Sequence, residues 1–323
     1  MRQKNWLAHY FLDVRCCMIK LIFSRVIEAI PTLLVLITVS FFLMRFAPGS
    51  PFSSEKTLPP EVLQNINEKY GLDKPLFEQY TTYLGNILMG DFGPSFKYKD
   101  YTVNELVAES LPVSAKVGFY AFIFTVIVGV AVGTLAALKQ NTWLDYTVMS
   151  TSMIGVVLPS FVFSPVLIYI FSIKLGWFPA GGWNGGAIQY MILPILGMSF
   201  LYIATFARIT RGSMIETLNS NFIRTARAKG LSYRYIVIKH ALKPALLPVV
   251  SYMGPAFVGI ITGSVVIETI FGLPGIGKLF VNAAFNRDYS LVMGITILIG
   301  FLFILFNAIV DILLAMIDPK IRY

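Results

Sequence analysis

The side chains that could do chemistry in this sequence are few and scattered. Its two histidines, His9 and His240, stand among neither carboxylates nor cysteines. Acid–base and nucleophilic catalysis need such groups within hydrogen-bond reach of one another, and a metal needs three or four donors. No triad, paired-carboxylate site or metal cluster is legible, so the chain does not read as an enzyme. Cys16 and Cys17 are adjacent, which makes them useless as a staple and too few for a zinc site. The run Gly272-Leu-Pro-Gly-Ile-Gly-Lys278 matches the start of a phosphate-binding loop. However, Leu279 stands where magnesium needs a hydroxyl, no strand precedes the run, and Pro274 removes an amide that a phosphate would use. It is not read as a nucleotide site.

What remains is a cluster of cations. Residues 221–248 read NFIRTARAKGLSYRYIVIKHALKPALLP, with Arg224, Arg227, Lys229, Arg234, Lys239 and Lys243 and no acid. The pattern predicts two short helices. Asn221 is expected to cap the first, and Lys229-Gly230 to end it, because glycine accepts the left-handed conformation that side chains resist. Ser232 is expected to cap the second, which runs until Pro244. Tyr235, Ile236 and Ile238 are expected to give that helix an apolar side. Such an element can rest on anionic lipid heads or dock a partner. Nucleic acid is not expected, because both ends run straight into apolar sequence.

The elements that must position this stretch are membrane helices. Of 323 residues, 56% are hydrophobic and 13% charged, and mean hydropathy is +0.71, far greasier than a soluble domain. A span needs about 20 apolar residues to cross a hydrocarbon core of about 30 Å. Six stretches qualify, at 26–44, 112–138, 146–173, 190–207, 245–269 and 291–315. The fold class expected is an all-α integral membrane protein with six transmembrane helices. Gly129 and Gly133 in span 2 have the spacing that lets helices approach closely. Pro159 and Pro165 should kink or break span 3. Residues 174–189 contain GWFPAGGWNGG, whose glycines demand irregular backbone.

Residues 1–25 precede span 1, and 1–17 read as a loose tail or an extension ahead of a second start at Met18. Residues 45–111 form a large insert between spans 1 and 2, with nine acids and five lysines against the basic trend elsewhere. Two helices are legible in it. One runs from Thr57 with Val62, Leu63, Ile66 and Tyr70 on a face. The other follows Pro75 with Leu76, Phe77, Tyr80, Tyr83, Leu84 and Ile87 until Gly90. With the amino terminus inside, the inner segments 1–25, 139–145, 208–243 and 316–323 hold sixteen of the 26 lysines and arginines. The short outer loops carry only Lys174, Lys278 and Arg287. The positive-inside rule therefore places both termini and the 208–243 loop in the cytoplasm. Ionisable groups within the spans are rare. Glu28 is expected to pair with Arg25, and Asp311 with an arginine of the basic loop. Glu268 is expected either to pair locally or to line an outer gate that meets a substrate's amino group. Ser160, Ser164, Ser251, Thr262 and Ser264 are the hydroxyls that a water-filled path would use.

The pattern Arg224-Thr-Ala-x-x-x-Gly230, nine residues, then His240-Ala-Leu242 resembles the EAA loop of permease subunits in binding-protein-dependent ABC importers. Arg224 and Thr225 stand where many members have Glu and Ala, while Ala226, Gly230 and Leu242 keep the pattern. His240 replaces an Ile, and Lys243 a Pro that appears one place later as Pro244. The resemblance extends over residues 18–323 through IEAIPTLL, RFAPGSPF, GDFGPSF, RTARAKGL, HALKPALLP, ETIFGLPGIG and DPKIRY. It is similar to the oligopeptide branch, the first of two paired permeases. That implies a type I ABC importer permease fold with a periplasmic insert, in the bacterial inner membrane. It implies a second homologous permease, two ATPases that hold the ATP and magnesium, a periplasmic oligopeptide-binding protein and a peptide substrate. This chain itself would bind no cofactor. Arg224, Thr225, Ala226, Arg227, Gly230, Tyr235, His240 and Leu242 would form the coupling surface, and Glu268, Ser251 and Ser264 the pore or gate. Related importers of dipeptides, murein peptides or nickel remain alternatives. A stand-alone proton-coupled peptide transporter would need mid-span carboxylates or histidines and inverted repeats.

Overall fold

The computed structural model describes residues 2–46 and 71–317, with side chains for 23–46, 71–261 and 264–316. Among the described residues the regular elements are helices, beside one isolated antiparallel bridge between Pro94 and Thr102. Among the described residues five helices are long and apolar enough to cross a membrane, and six spans result when the bent pair is taken as one.

Span 1 is the apolar part, Phe23–Phe46, of a helix that runs Arg2–Phe46. The insert's first expected helix, at Thr57 to Tyr70, lies outside the described residues. Its second is Leu76–Leu88. The Pro75 carbonyl accepts from the amides of Glu78 and Gln79, at 2.9 and 3.1 Å, so the proline sits where no helical N–H is needed. Tyr80 and Tyr83 lay their rings 5.5 and 5.8 Å from that of Phe41, and Thr38 and Tyr80 share a 2.8 Å hydroxyl bond. The insert helix thus leans on span 1. Burial pushes the Tyr83 phenol well above its usual pKa.

Span 2 is Val103–Leu138 and begins well before Pro112. Thr102 and Glu105 form a capping box. The Glu105 amide donates to Thr102 Oγ1 at 3.2 Å, and the Thr102 amide donates to Glu105 Oε2 at 2.8 Å. The end of the insert is therefore a rigid extension of span 2. Span 3 breaks once, at Leu158–Pro159, where Trp143–Val157 and Ser160–Lys174 meet at 109°. Leu158 is extended (φ −75°, ψ 115°), as the residue before a proline prefers to be. Pro165 lies inside the second half without breaking it, and a π-helical turn follows at Ile168–Lys174.

Span 4 is Ile188–Leu218, so helix continues past Arg208 and Arg211, where the sequence pattern predicts loop. Span 5 is Leu247–Phe271 and span 6 is Tyr289–Ile317. The return loop between them is not loop throughout, since it holds a short helix, Ile276–Phe285.

Spans 2 and 4 form the central seam. A Cβ on Gly129 would lie 2.5 Å from Phe206 Cβ, and one on Gly133 would collide with the Ala207 carbonyl. Only glycine permits this approach. At one end of the molecule Met44, Phe92, Val103, Leu106, Leu279 and Leu291 share a cluster. At the other, Ala137, Met214, Leu218, Ile223, Ile236 and Ala241 do. Gly133→Leu should overpack the seam and cost about 1–3 kcal/mol, lowering the melting temperature in detergent. Gly212→Leu, where an added Cβ would meet nothing within 4 Å, should not. Equal melting of the two variants would refute the seam.

Candidate functional site

The basic stretch folds as a two-part element between spans 4 and 5. Its first helix is Asn221–Ala228, with Ser220 rather than Asn221 at the N-cap. It ends in a Schellman turn. The Gly230 amide donates to the Arg227 carbonyl at 3.0 Å and the Leu231 amide to that of Ala226 at 3.4 Å, with Gly230 left-handed at φ +73°. The second part opens after Ser232 as Tyr233–Tyr235, widens into a π turn at Ile236–Ala241 and closes as Leu242–Ala245. Pro244 does not end it. A proline cannot donate to the carbonyl four residues back, here that of His240, and the π turn lies directly before it.

The element has two faces. Ile223, Ala226, Ile236, Val237, Ala241 and Ala245 are buried against Met214 and Leu218 of span 4 and Ala137 of span 2. Ala226 is therefore packing, and Leu242 is packed beside it. Arg224, Thr225, Arg227, Lys229, Arg234, Lys239 and Lys243 face outward, together with Phe222, Tyr233, Tyr235 and Ile238. Ile236 and Ile238 do not share a side as the sequence pattern predicts, because Ile236 turns in and Ile238 turns out. Lys239 lies 5.1 Å from the centre of the Tyr235 ring. Its hydrogen bond to Tyr235 holds the ammonium above its ordinary pKa. His240 sets its ring 5.5 Å from Tyr235, and its buried Nε2 has no hydrogen-bond partner. Such a face has no reactive pair. It offers cations and aromatic edges to a partner.

The candidate gate residues lie elsewhere. Glu268 is fully buried. Its Oε1 accepts from Ser114 Oγ at 2.6 Å, and its Oε2 accepts from the amides of Gly277 and Lys278 at 2.7 and 3.2 Å. Ser114 Oγ in turn accepts from the Ile276 amide at 2.8 Å. The carboxylate thus sits on the N-terminus of the Ile276–Phe285 helix, where a helix dipole favours negative charge. The amides after GLPG that a phosphate would need are occupied by the chain's own side chains. Gly272 caps span 5 in the left-handed region. Ser251 is exposed, and its hydroxyl donates to the Leu247 carbonyl. Ser264 is buried and donates to the Ile261 carbonyl. Asp311 pairs at 2.7 Å with Arg25 of span 1, not with the basic loop, and Arg25 also binds Glu28 at 2.8 Å. Spans 1 and 6 pack side by side, which puts Asp311 next to Arg25.

Two further sites are not singled out by the sequence pattern. Asp145 is buried at the start of span 3 and takes a two-pronged bond from Arg211 of span 4, at 2.5 and 2.7 Å. Asp288, also buried, accepts from Ser95 Oγ, from the Phe96 amide at 3.2 Å and from the Leu291 amide at 3.2 Å. It joins the insert to the start of span 6. In each case an aspartate at the head of an apolar run was the available signal, and it marks a helix start.

Two family profiles cover the chain. The binding-protein-dependent transport system inner membrane component matches residues 129–323, and its N-terminal counterpart matches residues 18–118. The chain belongs to this permease family. The oligopeptide transport system permease protein OppB of Escherichia coli (strain K12) is 68% identical over 306 residues, 95% of this chain and 100% of the relative. The OppB of Haemophilus influenzae is 66% identical over the same shares. The dipeptide transport system permease protein DppB of Bacillus subtilis (strain 168) is 41% identical over 90% of this chain and 94% of its own. Among solved structures, the inward-facing MetNI methionine ABC transporter matches with a TM-score of 0.54 at 19% identity, over 66% of this chain and 96% of that one. An amino acid ABC transporter solved with histidines matches at 0.50 and 16%, over 68% and 95%. The permease is thus an all-helical membrane protein with the fold of ABC importer permeases.

The clamp gives a test that separates packing from gating. Glu268→Ala strands the Gly277 and Lys278 amides and the Ser114 hydroxyl, at about 1–3 kcal/mol each. It should lower the melting temperature of the purified permease more than Glu268→Gln does, while Ser251→Ala leaves it unchanged. Unaltered melting with lost transport would instead put Glu268 on the substrate path.

Proposed function

We propose that this permease forms half of the translocation pore of an ATP-driven oligopeptide importer in the bacterial inner membrane. A second, homologous permease completes the pore. Two ATPase subunits, carrying the ATP and magnesium, dock on the outward face of residues 221–245, and a periplasmic oligopeptide-binding protein delivers the peptide. The observation that carries this reading is the two-sided basic element. Its inner side is fused to spans 2 and 4, and its outer side offers cations and aromatic rings. Substrate class follows from the relatives, at 66–68% identity to oligopeptide permeases against 41% to a dipeptide permease.

The Arg25–Asp311 pair joins the start of span 1 to the end of span 6. Span 2 runs back from the insert to the 221–245 element. These ends therefore lie on one side, and the positive-inside rule makes it the cytoplasm. The insert then faces the periplasm. Lipid heads flank the basic element without being its main partner. A proton-coupled mechanism lacks support, since Glu268 is held in a helix-capping clamp and Asp311 in an ion pair.

In this reading ATP closes the ATPase pair and drags the Asn221–Ala228 helix, which turns about Gly230 and carries spans 4 and 5 with it. Arg224→Glu with Arg227→Glu should cut recovery of the ATPases with the tagged permease about tenfold, since rim charges reversed against a complementary surface repel. Unchanged recovery would remove this face from the interface. Gly230→Pro forbids φ +73° and deletes the amide of the Schellman turn. It should leave ATP hydrolysis in place while abolishing peptide uptake in proteoliposomes. Normal uptake would dismiss the hinge.

A further inference from the structure

We propose that Asp145 and Arg211 are positioning residues that make span 3 follow the coupling element. The inference rests on the importer reading. Span 4 is one uninterrupted helix, Ile188–Leu218, and its last turns carry Met214 and Leu218, on which Ile223, Ala226 and Ile236 pack. Arg211 sits one turn before Met214. A displacement of the coupling helix therefore reaches Arg211 through packed side chains on a rigid rod, over about 10 Å from Leu218 at 1.5 Å per residue.

At Arg211 the displacement passes to another helix. The guanidinium gives Nε to Asp145 Oδ1 and Nη2 to Oδ2, at 2.5 and 2.7 Å, and Oδ2 also accepts the Asn141 amide at 2.9 Å. Asp145 is 1% exposed. A two-pronged arginine–carboxylate pair fixes orientation as well as distance. Asp145, buried, cannot exchange its partner for water, although Arg211 keeps a quarter of its side chain exposed. The apolar contacts between these helices, Gly155 against Ala204 and Phe163 stacked on Phe200 at 4.0 Å, can slide. The ion pair cannot slide without breaking.

Span 3 is also the bent span. It turns 109° at Pro159, and both sides of the bend expose apolar side chains, among them Met153, Val157, Phe161 and Val162. Its base is thus pinned to span 4 by an ion pair, while its far half, turned at the proline break, rests on the bundle through apolar packing of Phe163 and Leu167. When the coupling helix moves, the pair turns that base, and the bend changes the direction in which the far half is carried.

The test uses the whole importer, permease pair with ATPases, in proteoliposomes with its binding protein and a radiolabelled peptide. The variants are Asp145→Asn, which keeps shape, Arg211→Gln, and the exchange Asp145→Arg with Arg211→Asp. Glu216→Gln, exposed on the same span, is the control. Both single variants should assemble and keep basal ATP hydrolysis. Stimulation of hydrolysis by peptide-loaded binding protein, and peptide moved per ATP, should each fall about tenfold, the size of an ordinary coupling energy. The exchange should recover part of both ratios. Wild-type ratios in assembled single variants would overturn the proposal. So would an exchange that restores assembly without either ratio, which would make the pair a fastening only. A wild-type complex that hydrolyses ATP but moves no peptide would fail the importer reading instead, before any variant is compared.

Discussion

The close approach of spans 2 and 4 is the constraint on which the remaining structure depends. Lipid tails are as apolar as leucine, so membrane helices are held together by packing and polar contacts and not by a gain in hydrophobicity. Here glycines at 129 and 133 bring span 2 against the Phe206 side chain and the Ala207 backbone. Ser199 adds a hydroxyl bond to the Ala121 carbonyl at 3.1 Å. Span 3 then packs on span 4, span 5 on both, and the basic element closes over the ends of spans 2 and 4. Spans 1 and 6 pair at the side, with Gly300 pressed against Leu36.

On that frame, three buried acids do the joining. Asp145, Glu268 and Asp288 are each at most 1% exposed. Each carboxylate meets the start of a helix, its own for Asp145 and Asp288 and Ile276–Phe285 for Glu268, which itself belongs to the last turn of span 5. Each also holds a second element, Arg211 of span 4 for Asp145, Ser114 of span 2 for Glu268, and Ser95 of the insert for Asp288. Burying a carboxylate is unfavourable unless it is fully bonded, so these contacts fix register more than they add stability. They occur where a loop returns to the bundle, which is where a helical membrane protein has least else to set geometry.

Much of this was legible in the sequence. Hydropathy located the spans, Pro159 and Pro165 marked span 3 for a break that only Pro159 makes, and the glycine pair located the seam. Gly230 in a left-handed turn followed from its place after a basic, helix-forming run. Span ends were less legible, since hydropathy stops at the lipid while the helix does not. Span 4 continues through Arg208 and Arg211 because Arg211 finds a buried partner. Span 2 starts early because Thr102 and Glu105 cap it, although that four-residue pattern was visible in the chain. The partner of Asp311 is Arg25 and not the basic loop, and sequence separation says nothing about which ends of spans meet. The roles of Glu268 and Asp288 needed coordinates, as their partners lie as far as 193 residues away.

The basic element between spans 4 and 5 shows how one stretch meets two demands. Its inward residues, Ile223, Ala226, Val237 and Ala241, are small or branched and fill the space at the ends of spans 2 and 4 without a polar atom to satisfy. Its outward residues are long cations and half-exposed rings, which cost little in water and gain when a partner covers them. A helix with only the first property would be a plug, and with only the second a tether. Having both, it is fixed to the bundle on one side and unfinished on the other. Backbone irregularity concentrates around it, at Gly230 and in the π turn before Pro244, and again at Pro159 in span 3. Between those points span 4 is unbroken. The ladder of backbone hydrogen bonds is interrupted at each end of that rod and continuous along it.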